Sequence, residues 1–452
     1  MRVHIIGVGG TFMAGVAIIA DQLGFEVSGC DQSVYPPMSN VLAQANISVV
    51  EGYDQVSFSQ NEYDVVVVGN AISRGNPALE QVLNAGLHYM SGPEFLAAHV
   101  LRHKHVIAVA GTHGKTTTTS LLAWLLSQGG YNPGFLIGGA ANNFATSACV
   151  TDSPYFVIEA DEYDTAFFDK RPKFMHYRPR TLVLTNLEFD HADIFTDLNH
   201  IQQQFGLLLR CVPEAGTVIA NQEEHDLQSV LSQGCWSQQH SFGLSEGDWQ
   251  ARLLEPNGSV FEVYFEGQCL GTVCWSLLGA YNVKNALAAI AAAHSLGMPI
   301  SVILSSLRSF SGVKCRMEML SKSNGVQFIR DFAHHPTSIK QAIDTVRMIA
   351  KRRLMVVLQL GSRTLQRHVD VDQLATSLAG ACQVLLMQSD EVRWDLSLLE
   401  QASTSTTLWM IEGKDVLLSE WAETLLPGDT VLMLSNKDMM PVFNQMRQSL
   451  LA

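Results

Sequence analysis

Apolar runs of four to six residues alternate with segments of helical period along the whole 452-residue chain, the pattern of α/β folding on mostly parallel sheets. Val3 to Ile6 reads as a strand that turns at Gly7-Val8-Gly9-Gly10. A helix follows with Met13, Val16, Ala17, Ala20 and Leu23 on one face. A second strand ends at Asp31, and Val65 to Val68 forms another that stops at Gly69-Asn70. The basic stretch Leu101 to His105 interrupts this rhythm before a fresh strand, Val106 to Ala110, begins. Further strands are predicted at Phe156 to Ile158 and Thr181 to Leu184, a hairpin about Glu266-Gly267 within Val260 to Leu270, and a helix from Asn282 to about Leu296. Ser309 to Gly312 reads as a connection. Beyond it, Val326 to Ile329, Leu354 to Leu358, Val384 to Met387 and Val431 to Leu434 predict a third parallel sheet. Three α/β domains are therefore expected, over 1–104, 105–312 and 313–452, in line with ordinary domain sizes.

Composition narrows the classes. At 47% hydrophobic and 16% charged residues the chain has ample core. A net charge of −14 argues against a nucleic-acid binder that relies on phosphate attraction. The eight cysteines are scattered without a Cys-x-x-Cys spacing, so neither a disulfide framework nor a thiolate metal site is indicated. With no basic leader and no apolar run of membrane-spanning length, a cytoplasmic protein without membrane insertion is expected.

The most specific chemistry lies at Val106 to Thr118. A buried strand leads into Gly111-Thr112-His113-Gly114-Lys115-Thr116-Thr117 and then a leucine-rich helix, the context of a phosphate-binding P-loop. There the backbone N–H groups face phosphate oxygens, Lys115 reaches the outer phosphates and the Thr116 hydroxyl suits magnesium. The strict consensus puts its first Gly at Val109, so the loop is shortened; a solvated turn is the plain alternative. Glu159 ends the next strand in Glu159-Ala160-Asp161-Glu162, a carboxylate placed for a metal or a helix cap. Thr185 to His191 brings polar residues to a third strand end.

Taken in order, GTHGKTTT, EADE, TNLEFDHAD, GAYNVKNALAA and DFAHHPT resemble the Mur ligase family. The resemblance implies a Rossmann-like N-terminal domain for a UDP-sugar, a central P-loop ATPase domain, and a Rossmann-like C-terminal domain that closes on ATP and the amine substrate. It implies an ATP-dependent ligase that activates a carboxylate as an acyl phosphate and forms a C–N bond. Lys115, Glu159 and His191 would be catalytic, and Thr116, Glu159 and His191 would hold magnesium. Asn282 and Asn285 would lie by adenine, while Arg316 and Asp331 would reach ATP from the third domain. His334, His335 and Arg363 are further substrate candidates. The sequence departs from the family at Tyr281, usually His, and at Cys315, usually Arg. The position where many members carry a carbamylated lysine is Phe205, as in the subgroup that accepts UDP-muramic acid bearing no peptide.

The turn Gly7-Val8-Gly9-Gly10-Thr11-Phe12, with Asp31 and Asn70, resembles a dinucleotide fingerprint, but Phe12 occupies its third glycine position. The family instead implies a UDP site of Gly7, Gly9, Gly10, Thr11, Asp31 and Asn70. Gly9 to Met13, Val34 to Ser39 and the extra segment Phe168 to Lys173 are similar to the branch that joins a murein tripeptide to UDP-N-acetylmuramate; the branch that adds free L-alanine is the alternative. Ser435-Asn436-Lys437-Asp438 lacks the glycines that usually follow Ser-Asn. The cations Lys170, Arg171, Lys173, Arg178 and Arg180 are expected near the reaction centre, where Arg171 and Arg178 would favour a polycarboxylate peptide; a solvated loop is the plainer reading. Two other classes compete: a non-catalytic nucleotide-binding switch and an NAD-dependent oxidoreductase.

Overall fold

The structure, a computed structural model, describes the chain except residues 36–37, 60–61, 191, 193, 368–369, 389–390, 404–405, 412–415 and 452. His191 therefore lies outside the described residues. Three α/β domains follow one another, each with its own sheet.

The first sheet has five parallel strands in the spatial order Ser48–Glu51, Glu26–Asp31, Arg2–Ile6, Val65–Val68 and Tyr89–Ser91. The strand order reverses between Arg2–Ile6 and Val65–Val68, so their carboxyl ends open a crevice of the kind in which such folds bind ligands. All four valines of Val65–Val68 are buried, as an unbroken apolar run on a central parallel strand requires. The helix Thr11–Gln22 departs from the one-sided face expected of it: every residue from Met13 to Ala20 is buried. One side packs on its own sheet and another on the second domain. A Cβ at Gly15 would lie 2.2 Å from Leu136 Cδ1, and Gln22 Oε1 accepts a 2.7 Å hydrogen bond from the Val150 N–H. Only glycine permits that approach.

The second sheet has ten strands. Its parallel centre runs Trp249–Leu253, Gln238–Gly243, Thr217–Asn221, Thr181–Leu184, His105–Ala110, Tyr155–Glu159 and Gly134–Leu136. Antiparallel strands flank it: Ala148–Cys149 at one edge and the hairpin Val260–Phe265 with Gln268–Cys274 at the other. The helices Lys115–Gln128 and Ala280–Ser295 pack together over one face, burying Leu121, Leu122, Leu125 and Ala286 to Ala293. A separate hairpin, Asp164–Ala166 with Asp169–Pro172, carries the extra segment. It leans on the first domain, where Phe167 and Phe168 pack against Tyr89 at ring separations of 6.1 and 5.2 Å. Phe205 lies in the core, edge-on to Phe174 at 5.8 Å, in a wholly apolar contact.

The third sheet runs Glu318–Ser323, Val326–Asp331, Thr430–Leu434, Leu354–Gln359, Gln383–Met387 and Thr407–Ile411. The four anticipated strands are parallel; Glu318–Ser323 is an antiparallel edge and Thr407–Ile411 closes the other side.

Candidate active site

The carboxyl ends of strands from all three sheets face one cavity of about 770 Å³. From the first domain come Gly7, Gly9, Gly10, Thr11, Phe12, Asp31 and Asn70. Asp31 shapes this wall through its carboxylate: it accepts 2.8 Å from the Gly9 N–H, 2.7 Å from the Gln32 N–H and 2.9 Å from the Tyr53 hydroxyl. Its Oδ2 thus holds the glycine turn, and its Oδ1 takes the other two bonds. Tyr53 was not anticipated, and no sequence pattern marks it.

The second domain supplies Thr112 to Thr117, Glu159, Asp161, Tyr163, Lys173, Asp190, Asn282 and Asn285. Gly114 caps the helix Lys115–Gln128 with φ 81°, and a Cβ there would lie 2.4 Å from Asn285 Oδ1. The loop therefore needs glycine for both conformation and space. Asn285 in turn donates 3.2 Å to Asn282, so the two predicted adenine residues lie against the P-loop. Gly111 is set back behind the wall, where Lys115 Nζ donates 2.7 Å to its carbonyl. The same ammonium contacts Glu162 at 2.7 and 3.0 Å and lies 3.9 Å from Asp161. Burial opposes the Lys115 charge, but the pull of Glu162, Asp161 and Glu159 outweighs it and raises the ammonium pKa. Glu159 accepts 3.0 Å from the Thr116 hydroxyl and 2.8 Å from the Gly138 N–H. Burial pushes its pKa up while Lys115 pulls it down.

The third domain closes the wall with Arg316, Asp331 and His334. Arg316 sits between two non-glycine residues of positive φ, Cys315 at 57° and Met317 at 48°, and its guanidinium lies 4.2 Å from the Phe332 ring centroid. Asp331 accepts from the Met317 and Ala333 N–H groups at 2.7 and 2.8 Å. Its burial raises the carboxyl pKa, partly offset by Arg316. Tyr281 joins the cavity near both groups, and burial, then Asp331, pushes its phenol pKa well up. His334 donates from Nδ1 to the Phe332 carbonyl at 2.9 Å; burial lowers its pKa to about 4, leaving a neutral ring.

Several expected residues lie elsewhere. Arg171 is 63% exposed and forms a two-pronged pair with Asp169, at 2.7 and 2.9 Å. Arg178 is exposed, with φ 45°, and Arg363 is exposed at the start of the helix Arg363–Arg367. None of the three lines the cavity. The extra segment instead contributes Lys173. Its side chain is 6% exposed, contacts Asp161 at 3.0 Å, and lies over the rings of Phe12 and Tyr163 at 5.1 and 5.4 Å. Charge count alone gave no means of choosing among the five cations; Lys170 and Arg171 lie exposed on the hairpin strand, whereas Lys173 begins the short helical turn Lys173–His176 and is buried there. His335 caps the helix Pro336–Ile349 just behind the wall.

A P-loop domain held between two open α/β domains, with all three walling one cavity, defines a multidomain nucleotide-dependent enzyme. The chain belongs to the Mur ligase family, whose members are ATP-dependent ligases. The family matches over residues 2–104 (Mur ligase family, catalytic domain), 109–293 (Mur ligase middle domain) and 315–436 (Mur ligase, glutamate ligase domain). Among its relatives is the UDP-N-acetylmuramate–L-alanyl-gamma-D-glutamyl-meso-2,6-diaminoheptandioate ligase of Escherichia coli K12, 46% identical over 96% of this chain and 95% of that protein. A crystal structure of a murein peptide ligase from Psychrobacter arcticus 273-4 is 38% identical, with TM-score 0.77 and coverage of 100% and 98% of the two chains. The UDP-N-acetylmuramate–L-alanine ligase of Clostridium acetobutylicum is 32% identical over 85% of this chain and 82% of that protein. Among the described residues, no helix is long and apolar enough to cross a membrane.

Proposed function

We propose that this ligase joins the murein tripeptide L-alanyl-γ-D-glutamyl-meso-diaminopimelate to the lactyl carboxylate of UDP-N-acetylmuramate, cleaving ATP to ADP and phosphate, in peptidoglycan recycling. The observation that carries the reaction class is the shared cavity: a glycine turn, a P-loop and a third wall bearing Arg316 and Asp331 face one another, as a three-substrate ligation requires. The choice of tripeptide is supported by 46% identity to the E. coli relative against 32% to the alanine ligase. ATP and UDP-sugars are cytoplasmic metabolites, and the proposed reaction belongs there.

A carboxylate is a poor electrophile. In the proposed sequence its oxygen attacks the γ-phosphorus, ADP leaves, and the amine of the peptide then attacks the acyl carbon and expels phosphate. Lys115 stays charged throughout and counters phosphate charge at the loop. Gly7 to Thr11 would hold the UDP diphosphate, with Asp31 and Asn70 nearer the uridine. Arg316 and Asp331 would approach ATP from the opposite wall. Thr116 and Glu159 fit magnesium: a hydroxyl and a half-buried carboxylate, 3.0 Å apart, form an oxygen-only pair beside the P-loop. Magnesium held there would supply charge neutralisation; His191, by family resemblance, would hold a second ion.

The test is phosphate release measured with UDP-N-acetylmuramate plus tripeptide, plus L-alanine, and with no amine. Turnover mainly with tripeptide is expected. Preference for L-alanine would assign the chain to the alanine branch, and nucleotide binding without amide formation would make it a switch.

A further inference from the structure

Two imidazoles from different domains converge on one carboxylate oxygen. His113 in the P-loop puts Nε2 3.3 Å from Glu188 Oε2, and His335 puts Nδ1 3.3 Å from the same atom. The two rings are 5.0 Å apart. The side chains are only 17%, 29% and 8% exposed for His113, Glu188 and His335.

The hydrogen-bond pattern makes this convergence unusual. The Thr337 N–H donates to His335 Nδ1 at 3.4 Å, an arrangement in which Nδ1 carries no proton. An unprotonated nitrogen and a carboxylate oxygen both present lone pairs, and their approach is unfavourable unless positive charge lies between them. A charged N–H···O⁻ bond closes to about 2.7–2.9 Å. A tetrahedral cation bound at about 2.0–2.1 Å to nitrogen and oxygen holds its ligand atoms about 3.3–3.4 Å apart. Both observed spacings match the latter; the His113 contact also lies within reach of a neutral hydrogen bond, so the His335 contact, where Nδ1 carries no proton, is the discriminating one.

We propose that His113 Nε2, Glu188 Oε2 and His335 Nδ1 form a binding site for a divalent transition-metal cation of the zinc class, with a fourth position left to water. Two imidazoles and one carboxylate suit zinc, whereas magnesium takes oxygen ligands; the site is thus chemically distinct from the Thr116–Glu159 pair. Its donors are fixed in advance. Asn186 Oδ1 accepts from the His113 N–H at 2.7 Å, Thr112 Oγ1 accepts from the Glu188 N–H at 2.9 Å, and Ser338 hydrogen-bonds the His335 backbone in the helix cap. Because His113 belongs to the phosphate loop and His335 to the third domain, a bound zinc ion ties the two together. Zinc is therefore expected to slow turnover in a way that excess magnesium does not relieve.

The experiment titrates the full-length protein with zinc chloride against a chromogenic chelator, alongside His335→Asn, which keeps a helix-capping side chain, and Glu188→Gln. Cobalt-loaded absorption spectra identify thiolate ligands, and ADP binding checks that the variants are folded. The expected result is one zinc ion bound at least about tenfold more tightly by the unsubstituted protein than by either variant, with no thiolate charge-transfer band. Equal zinc affinity in all three proteins overturns the proposal. So does a thiolate band that accounts for the bound cobalt. A third overturning result is no zinc uptake at any pH at which the imidazoles are neutral, which would leave a proton as the shared charge.

Discussion

Thr364 of the third domain donates a 2.6 Å hydrogen bond to Asp190 of the second, and both side chains are buried. Asp190 also lines the cavity, so this bond couples the docking of the third domain to the catalytic wall. Removing a buried hydrogen bond to a charged group costs about 1.5–3 kcal/mol. Thr364→Val is accordingly expected to lower kcat by about tenfold or more, with UDP-substrate affinity nearly unchanged. Steady-state kinetics beside calorimetric binding of UDP-N-acetylmuramate will test this; unaltered kcat would show that the bond is incidental to closure.

Lys115→Ala is expected to abolish ligation, with kcat down by at least about 10³, because Lys115 is the ammonium carried by the P-loop itself. UDP-N-acetylmuramate should still bind, since its proposed site is on the first domain. Retained turnover would remove the phosphate role; loss of both turnover and UDP binding would point to misfolding.

Lys173 is the cation of the extra segment that reaches the cavity, so Lys173→Met is expected to raise the KM for UDP-N-acetylmuramate or peptide by about tenfold. Arg171→Ala and Arg178→Ala should stay within about threefold, the ordinary scale for exposed charges. The reverse ranking in a kinetic comparison would restore the exposed arginines as the peptide contacts.

His4 is buried against Phe58 and Tyr63, and burial lowers its pKa to about 4 from an ordinary 6.5, opposed by Glu62. The unfolded chain therefore takes up the proton first as pH falls. Its stability contribution is complete above about pH 6.5, is lost as pH drops towards 4, and changes no further below that. The loss amounts to about 3 kcal/mol at most. Urea unfolding between pH 7 and 4.5 should show a shallower decline in His4→Asn than in the unsubstituted protein; parallel curves would assign acid sensitivity to other groups.

Val65 to Val68 and Val431 to Leu434 were legible because parallel strands buried on both faces leave short apolar runs, whereas Ser48–Glu51, Tyr89–Ser91, Gly134–Leu136, Thr217–Asn221, Gln238–Gly243, Trp249–Leu253 and Thr407–Ile411 were not among the strands read from the sequence. Glu318–Ser323 escaped because an edge strand with alternating exposed residues lacks such a run. The P-loop was legible because strand, glycines, Lys115 and helix adjoin in sequence. Contacts that join distant segments were not: nothing local to Thr364 announces Asp190, and nothing near Tyr53 announces Asp31. The same holds for His335, whose position in DFAHHPT was plain while its approach to His113 and Glu188 depends on how two domains dock.

The absent side chain at Gly15 has a bearing on how this molecule can be rebuilt. With Leu136 and Ala148 pressed against that position and Phe167 and Phe168 seated on Tyr89, the first two domains share a seam that belongs to neither alone. A chimera that exchanges the first domain must bring a matching partner for Gly15 or accept a steric clash. Transplanting the third domain through the Ser309 to Gly312 connection leaves that seam intact.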